Sequence, residues 1–176
     1  MPKCCFWLVL ATAFGLPRIA SAQSDNPAAD LPGLIECRTD AKAWGALAFS
    51  LMGDPGTAEA LGWKERASDN PFLKEFDLPS QIRVFGRSTS RVAMTGTGPL
   101  AVLDDIAPDT LVAELGITPT ISTPEKFSAR SWSSKVRKRA REHAYTRITL
   151  IVSTVDTHPG LVLAGCSYIV ETSVAE

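Results

Sequence analysis

From residue 146 to 155 the chain alternates, with Ile148, Leu150 and Val152 on one side and Arg147, Thr149 and Ser153 on the other. That period of two predicts a strand with one covered face. Ile151 interrupts the polar side, which implies partial cover there as well. Asp156-Thr157-His158-Pro159-Gly160 has turn composition, and 161–170 is a second apolar-rich run. The two runs are expected to pair as an antiparallel hairpin. Three shorter strand-like runs come earlier: one around Ile82 and Val84, one around Val92 and Met94, and one over 100–103. They are parted by Gly86-Arg87-Ser88 and by Gly96-Thr97-Gly98-Pro99.

Ahead of these strands the period is helical. Trp44, Leu47, Ala48 and Leu51 recur at helical spacing, Thr39 or Asp40 is placed to cap the start, and Gly53 to close the end. Gly45 weakens the helix by about 1 kcal/mol relative to alanine. A shorter helix is expected over 57–61, after Pro55 and before Gly62. Residues 64–79, marked by Ser68-Asp69-Asn70-Pro71 and Leu78-Pro79, read as irregular. Pro108-Asp109 opens another short helix that stops at Gly116, and Pro119 and Pro124 bracket a connector. The order is helices, three strands, a helix, then two or three strands. Strands clustered in sequence predict an α+β fold, an antiparallel sheet with helices packed on one face in a single domain. Its two α-then-β halves show no residue-level repeat.

Residues 128–142 fit neither period, and five of the seven residues 135–141 are basic: Lys135, Arg137, Lys138, Arg139 and Arg141. Position makes the stretch a strand pairing with 146–155 or a long loop leading into it, and its foreign composition is also what an altered reading frame would give. As a patch, these cations suit an anion or an acidic partner. The plainer reading is a solvated arm or face.

The first 22 residues have the layout of a cleavable secretory signal. Lys3 supplies the basic start, 6–16 is uncharged and apolar, Pro17 and Arg18 end it, and Ala20-Ser21-Ala22 gives small residues at the cut. The apolar run is shorter than the roughly 20 residues a bilayer span needs. Cys4 and Cys5 precede it and Cys37 follows Glu36, so a lipid-modified cysteine is disfavoured. No later segment is apolar and long enough to span, so a soluble chain in the periplasm or outside the cell is expected. Residues 23–33, with Pro27 and Pro32, read as a flexible leader, and the domain as 34–176.

Export changes the cysteine and charge arithmetic. Cys4 and Cys5 leave with the signal, and the remaining pair, Cys37 and Cys166, is expected to form a disulfide in an oxidising compartment. Loss of Lys3 and Arg18 leaves 16 basic against 19 acidic residues in the 154 that remain, a net charge of −3. That balance argues against a surface built for nucleic acid.

Signatures of catalysis are weak. There is no Gly-x-Ser-x-Gly elbow for any serine. Asp156 and His158 share a turn near Ser153 and form the nearest thing to an acid–base pair, although turn residues more often cap backbone. His143 and His158 with the two cysteines lack zinc-ligand spacing. Asp104, Asp105 and Asp109 lack the rhythm of a calcium loop and suit a helix N-terminus. Gly96-Thr97-Gly98-Pro99 lacks the lysine of a phosphate cradle. Trp44 and Trp63 are either core or the lining of a ligand groove. No catalytic residue, metal ligand or cofactor is assigned. The leading expectation is a non-enzymatic binding or partner protein of the cell envelope, of inhibitor, immunity or accessory type. A small hydrolase with dispersed residues and an apolar-ligand carrier are the alternatives.

Overall fold

The computed structural model describes residues 28–122, 126–139 and 142–174, with the backbone alone at 120–122, 126–139, 142–144 and 172–174. Residues 1–22, expected to be a signal, and residues 23–27 of the expected leader lie outside the described residues. The leader ends earlier than expected, because Leu31–Ile35 form helix α1. The Asp30 carboxylate accepts from Gly33 N at 2.8 Å and Pro32 sits in the first turn, the ordinary N-terminal devices of a helix. Leu31, Leu34 and Ile35 are all buried.

Helix α1 ends on Cys37, whose φ of 58° puts it in the left-handed region usually held by glycine. Arg38 N reaches back to Gly33 O, and Cys37 N to Leu34 O. Helix α2, Ala41–Gly53, is capped by Asp40 and buries Trp44, Leu47 and Leu51. Helix α3 is Gly56–Ala60 and helix α4 is Pro108–Glu114. Gly62 and Gly116, at φ of 71° and 60°, follow α3 and α4 as the stops the sequence implied.

One antiparallel sheet of eight strands carries these helices, in the order β1-β2-β3-β4-β8-β7-β6-β5. The strands are β1 Lys64–Arg66, β2 Lys74–Val84, β3 Arg87–Met94, β4 Pro99–Leu103, β5 Pro119–Ser122, β6 Lys126–Arg139, β7 Glu142–Ser153 and β8 Val162–Val174. The turn Phe85-Gly86 joins β2 to β3 with both residues at positive φ, the geometry that suits a two-residue hairpin. β4 pairs with β8, joining the early meander to the late one. Helices α1 and α2 contact β8 and α4 contacts β7. The main core lies between helices and sheet and gathers Leu34, Leu47, Phe76, Val92, Leu103, Leu111, Val152 and Cys166. The α+β fold with helices on one face is thus as the chain order implied.

Two stretches differ from expectation. Residues 64–79 are not irregular but contain β1 and the first half of β2. Lys74-Glu75-Phe76-Asp77-Leu78 alternates, with Phe76 and Leu78 buried in the core, and Pro79 is accommodated where the register shifts between Asp77 and Ile82. The connector after Pro119 contains β5. Of the strand and loop readings of 128–142, the strand holds through Arg139, since β6 pairs with β7 from Lys126↔Ser153 to Arg139↔Glu142.

The expected disulfide is formed. Cys37 and Cys166 are bonded with Cα atoms 5.2 Å apart, tying the end of α1 to β8 across 129 residues of sequence. Nearby, Tyr168 donates its hydroxyl to Leu34 O at 2.8 Å and stacks on Trp44, with centroids 6.5 Å apart. Close approach of β4 to β8 requires glycine here. A Cβ at Gly98 would sit 1.7 Å from Cys166 O, and one at Gly165 would sit 2.2 Å from Pro99 O.

Candidate functional site

Helix α2 has almost no polar face. Its sequence, AKAWGALAFSLMG, carries only Lys42 and Ser50 as polar side chains, and a helix apolar all round is ordinarily covered all round. Here Trp44, Leu47 and Leu51 turn to the core, but Phe49 is 77% exposed and Met52 80% exposed. Gly45, on the same outward side, has open space where a side chain would stand.

That uncovered side runs into a half-open cleft of about 510 Å³ between α2 and the start of β2. Trp44, Ala48, Leu51 and Met52 form its helix wall, Pro71, Phe72, Leu73 and Phe76 its facing wall, and Met94, Thr95 and Gly96 its end. Phe72 is 82% exposed at the rim. Its loop is shaped by Asn70, whose Oδ1 accepts from Phe72 N at 3.0 Å and whose backbone carbonyl accepts from Leu73 N. The charged lining is one ion pair, Lys74 to Glu65 at 3.1 Å, with the Lys74 ammonium 5.7 Å from the Phe76 ring centroid. Volume and lining match a site for an apolar group with few fixed polar contacts. Of the two tryptophans weighed as groove lining, Trp44 does line it while buried, whereas Trp63 packs on Phe76, centroids 5.5 Å apart.

A second grouping lies on the sheet face away from the helices. Glu75 and Arg91 are diagonal neighbours on β2 and β3, with Arg91 Nη2 donating to Glu75 Oε2 at 2.9 Å. His158 Nε2 lies 2.7 Å from Glu75 Oε1 and its Nδ1 lies 2.9 Å from Thr157 Oγ1. Burial pushes the Glu75 carboxyl up, but hydrogen bonds from Arg91 and His158, and their charges, outweigh it and hold it below the usual carboxylate range. The His158 and Glu75 side chains are each only 4% exposed. Both imidazole nitrogens are engaged and covered, so the ring braces the turn 154–161 against β2 and meets no open cleft. The pairing weighed from sequence, Asp156 with His158 beside Ser153, is therefore corrected. Asp156 is exposed, and the partner of His158 is Glu75, 83 residues away in sequence.

The remaining candidates separate. Cys37 and Cys166 are joined to each other and cannot serve as thiolate ligands. Among the described residues no group of three or more His, Cys, Asp and Glu is arranged to hold a metal. Lys135, Arg137, Lys138 and Arg139 fall along β6, and Arg141 lies outside the described residues. Asp104, Asp105 and Asp109 bridge the end of β4 and the start of α4, and Gly96-Thr97-Gly98 is a turn in which Thr95 Oγ1 accepts from Gly98 N at 2.9 Å. No helix among the described residues is long and apolar enough to cross a membrane. Sequence reasoning missed Phe49, Met52, Phe72, Glu75 and Arg91. The signal for the first two was the near absence of polar residues around α2. For Glu75 there was no local signal, since with Asp77 it forms the polar half of an alternating run. Comparison with family models, curated proteins and solved structures finds no match to this chain.

Proposed function

We propose that this is an exported, non-enzymatic binding protein that uses the α2–β2 cleft and its rim to hold an apolar side chain or short apolar segment of a protein partner. The observation that carries the reading is a concave apolar cleft whose walls include the mostly exposed Met52 and Phe72, with Phe49 exposed less than one helical turn from Met52 on α2. Contiguous exposed apolar surface of this kind marks interaction sites, and interface anchors are enriched in aromatic side chains seated in pockets. A protein occupant fits better than a bilayer for two reasons. Membrane-seated helices present cations to anionic headgroups, whereas Lys74 here is neutralised by Glu65 and α2 offers only Lys42. Moreover, the site is a recess, which receives a protruding group. Export is supported by the signal-like segment 1–22 and by the disulfide, since such bonds persist in oxidising compartments.

The test is affinity capture from envelope and secreted fractions, run in parallel with the oxidised protein and a Phe49→Ser, Met52→Ser, Phe72→Ser variant. A partner held at equal stoichiometry by the first and lost by the second supports the reading. Capture that survives the three substitutions, or sedimentation with phosphatidylcholine–phosphatidylglycerol vesicles in place of protein capture, overturns it.

A further inference from the structure

The turn between β7 and β8 does more than reverse the chain. Its residues Val155 and Leu161 pack on a second small core on the back face of the sheet, formed by Ala93, Leu100, Val102 and Leu163. Leu73 packs on that same core and also lines the cleft. The polar contacts run in parallel. His158 is anchored on Glu75 of β2, its Nδ1 meets Thr157 Oγ1, and Asn70 Nδ2 reaches that hydroxyl at 3.5 Å. Asn70 in turn holds Phe72 N and Leu73 N. Backbone bonds from His158 N to Val155 O at 2.8 Å and from Leu161 N to His158 O at 3.1 Å close the turn on itself. A continuous chain of contacts therefore joins the turn to the cleft wall that carries Phe72.

We propose that residues 154–161 form a strap, anchored by His158 on Glu75, that sets the position of the Phe72–Leu73 wall, so that occupancy of the cleft and closure of the strap favour one another. The regulatory half of this inference rests on the cleft being the binding site. The mechanical half does not. Two elements that share one small core and one hydrogen-bond chain open as a unit, and coupling between the strap and an occupant is reciprocal.

Hydrogen exchange on the oxidised full chain decides the matter, read by NMR at single amides. Thr157→Val removes the exposed hydroxyl that links His158 to Asn70 and leaves the buried imidazole in place. It should accelerate exchange at Phe72 and Leu73 about fivefold, the worth of one neutral hydrogen bond. His158→Ala should accelerate Phe72, Leu73 and Leu161 together by at least about tenfold, and His158→Gln, which can still donate to Glu75, should restore part of the protection. Opening at Leu161 with Phe72 and Leu73 unchanged would overturn the strap, whether or not the cleft binds anything. The coupling arm uses the aromatic dye 8-anilinonaphthalene-1-sulfonate as a stand-in occupant. Slower exchange at Leu161 in the parent protein, lost in Thr157→Val, is the expected result. Protection confined to 72–76 with none at Leu161 refutes coupling. If the strap passes these tests but the rim substitutions leave partner capture intact, the binding reading falls and the strap stands.

Discussion

Reduction of Cys37–Cys166 perturbs both the stability of the fold and the placement of the cleft. The bond closes 129 residues of sequence, and in the chain-entropy treatment a loop of that length restricts the unfolded state by about 17 cal/mol/K, or about 5 kcal/mol at 25 °C. Native-state compensation lowers this, so about 3–5 kcal/mol is the working expectation. For a chain of this size each kcal/mol moves the melting temperature by roughly 2–4 °C, which places the reduced protein about 6–20 °C below the oxidised one. Both sulfurs are buried, so reduction requires opening and should be done in denaturant before refolding with the thiols kept reduced. Intact mass then reports two mass units for the bond, and calorimetry of both forms reports the shift. Because the bond fixes the end of α1 to β8 and Cys37 itself sits at positive φ, the reduced protein should also exchange faster at α1 and at the α2 face that lines the cleft. A melting-temperature change below about 2 °C would refute the reasoning, as would free alkylation of Cys37 and Cys166 in the folded protein.

Three further outcomes follow from the same geometry. Because the Glu75 carboxyl is held below its usual value in the fold, its contribution is present above the unfolded carboxylate pKa and is lost as pH falls through the lower folded one. Denaturant unfolding from pH 5 downward should show a steeper loss of stability in the parent than in Glu75→Gln, and parallel curves would contradict this. Gly98→Ala drives a Cβ into Cys166 O and should cost more than about 3 kcal/mol or prevent folding. Wild-type stability by urea titration would show that the β4–β8 contact is not as close as described. Replacing Lys135, Arg137, Lys138, Arg139 and Arg141 by glutamine should change stability by less than about 1 kcal/mol, as expected of a solvated arm. A large loss would place the run in the packing of the sheet.

The elements that the sequence made plain are those where local chemistry and burial agree. Asp40, Gly53 and the spacing of Trp44, Leu47 and Leu51 bounded α2 within a residue, and Ile148, Leu150 and Val152 oriented β7. Pairing of Cys37 with Cys166 followed from the expectation of export and from the two cysteines that export would leave. The first half of β2 was hidden because Pro79 suggests a break, and only the partner strand shows that the register shift absorbs it. The strand in 128–139 was hidden because its composition carries no alternation, and its placement is dictated by pairing with β7. The site was less legible for a different reason. The near absence of polar residues around α2 was legible, but which part of the helix the rest of the chain leaves uncovered, and so the exposure of Phe49 and Met52, was not. Glu75 and His158 meet across 83 residues, and the turn chemistry of 156–160 gave no hint of a buried partner.

The apolar rim of Phe49, Met52 and Phe72 is the proposed binding surface. Its most direct test is a calorimetric titration of the captured, purified partner with the oxidised protein and with the Phe49→Ser, Met52→Ser, Phe72→Ser variant. Burial of each side chain is worth roughly 1.5–3 kcal/mol, so removal of all three should weaken binding on the order of a thousandfold or more. The variant's melting temperature should stay near that of the parent, because the three side chains stand mostly in solvent. Affinity within about threefold of the parent, with folding intact, would contradict the account and place the binding surface elsewhere on the molecule.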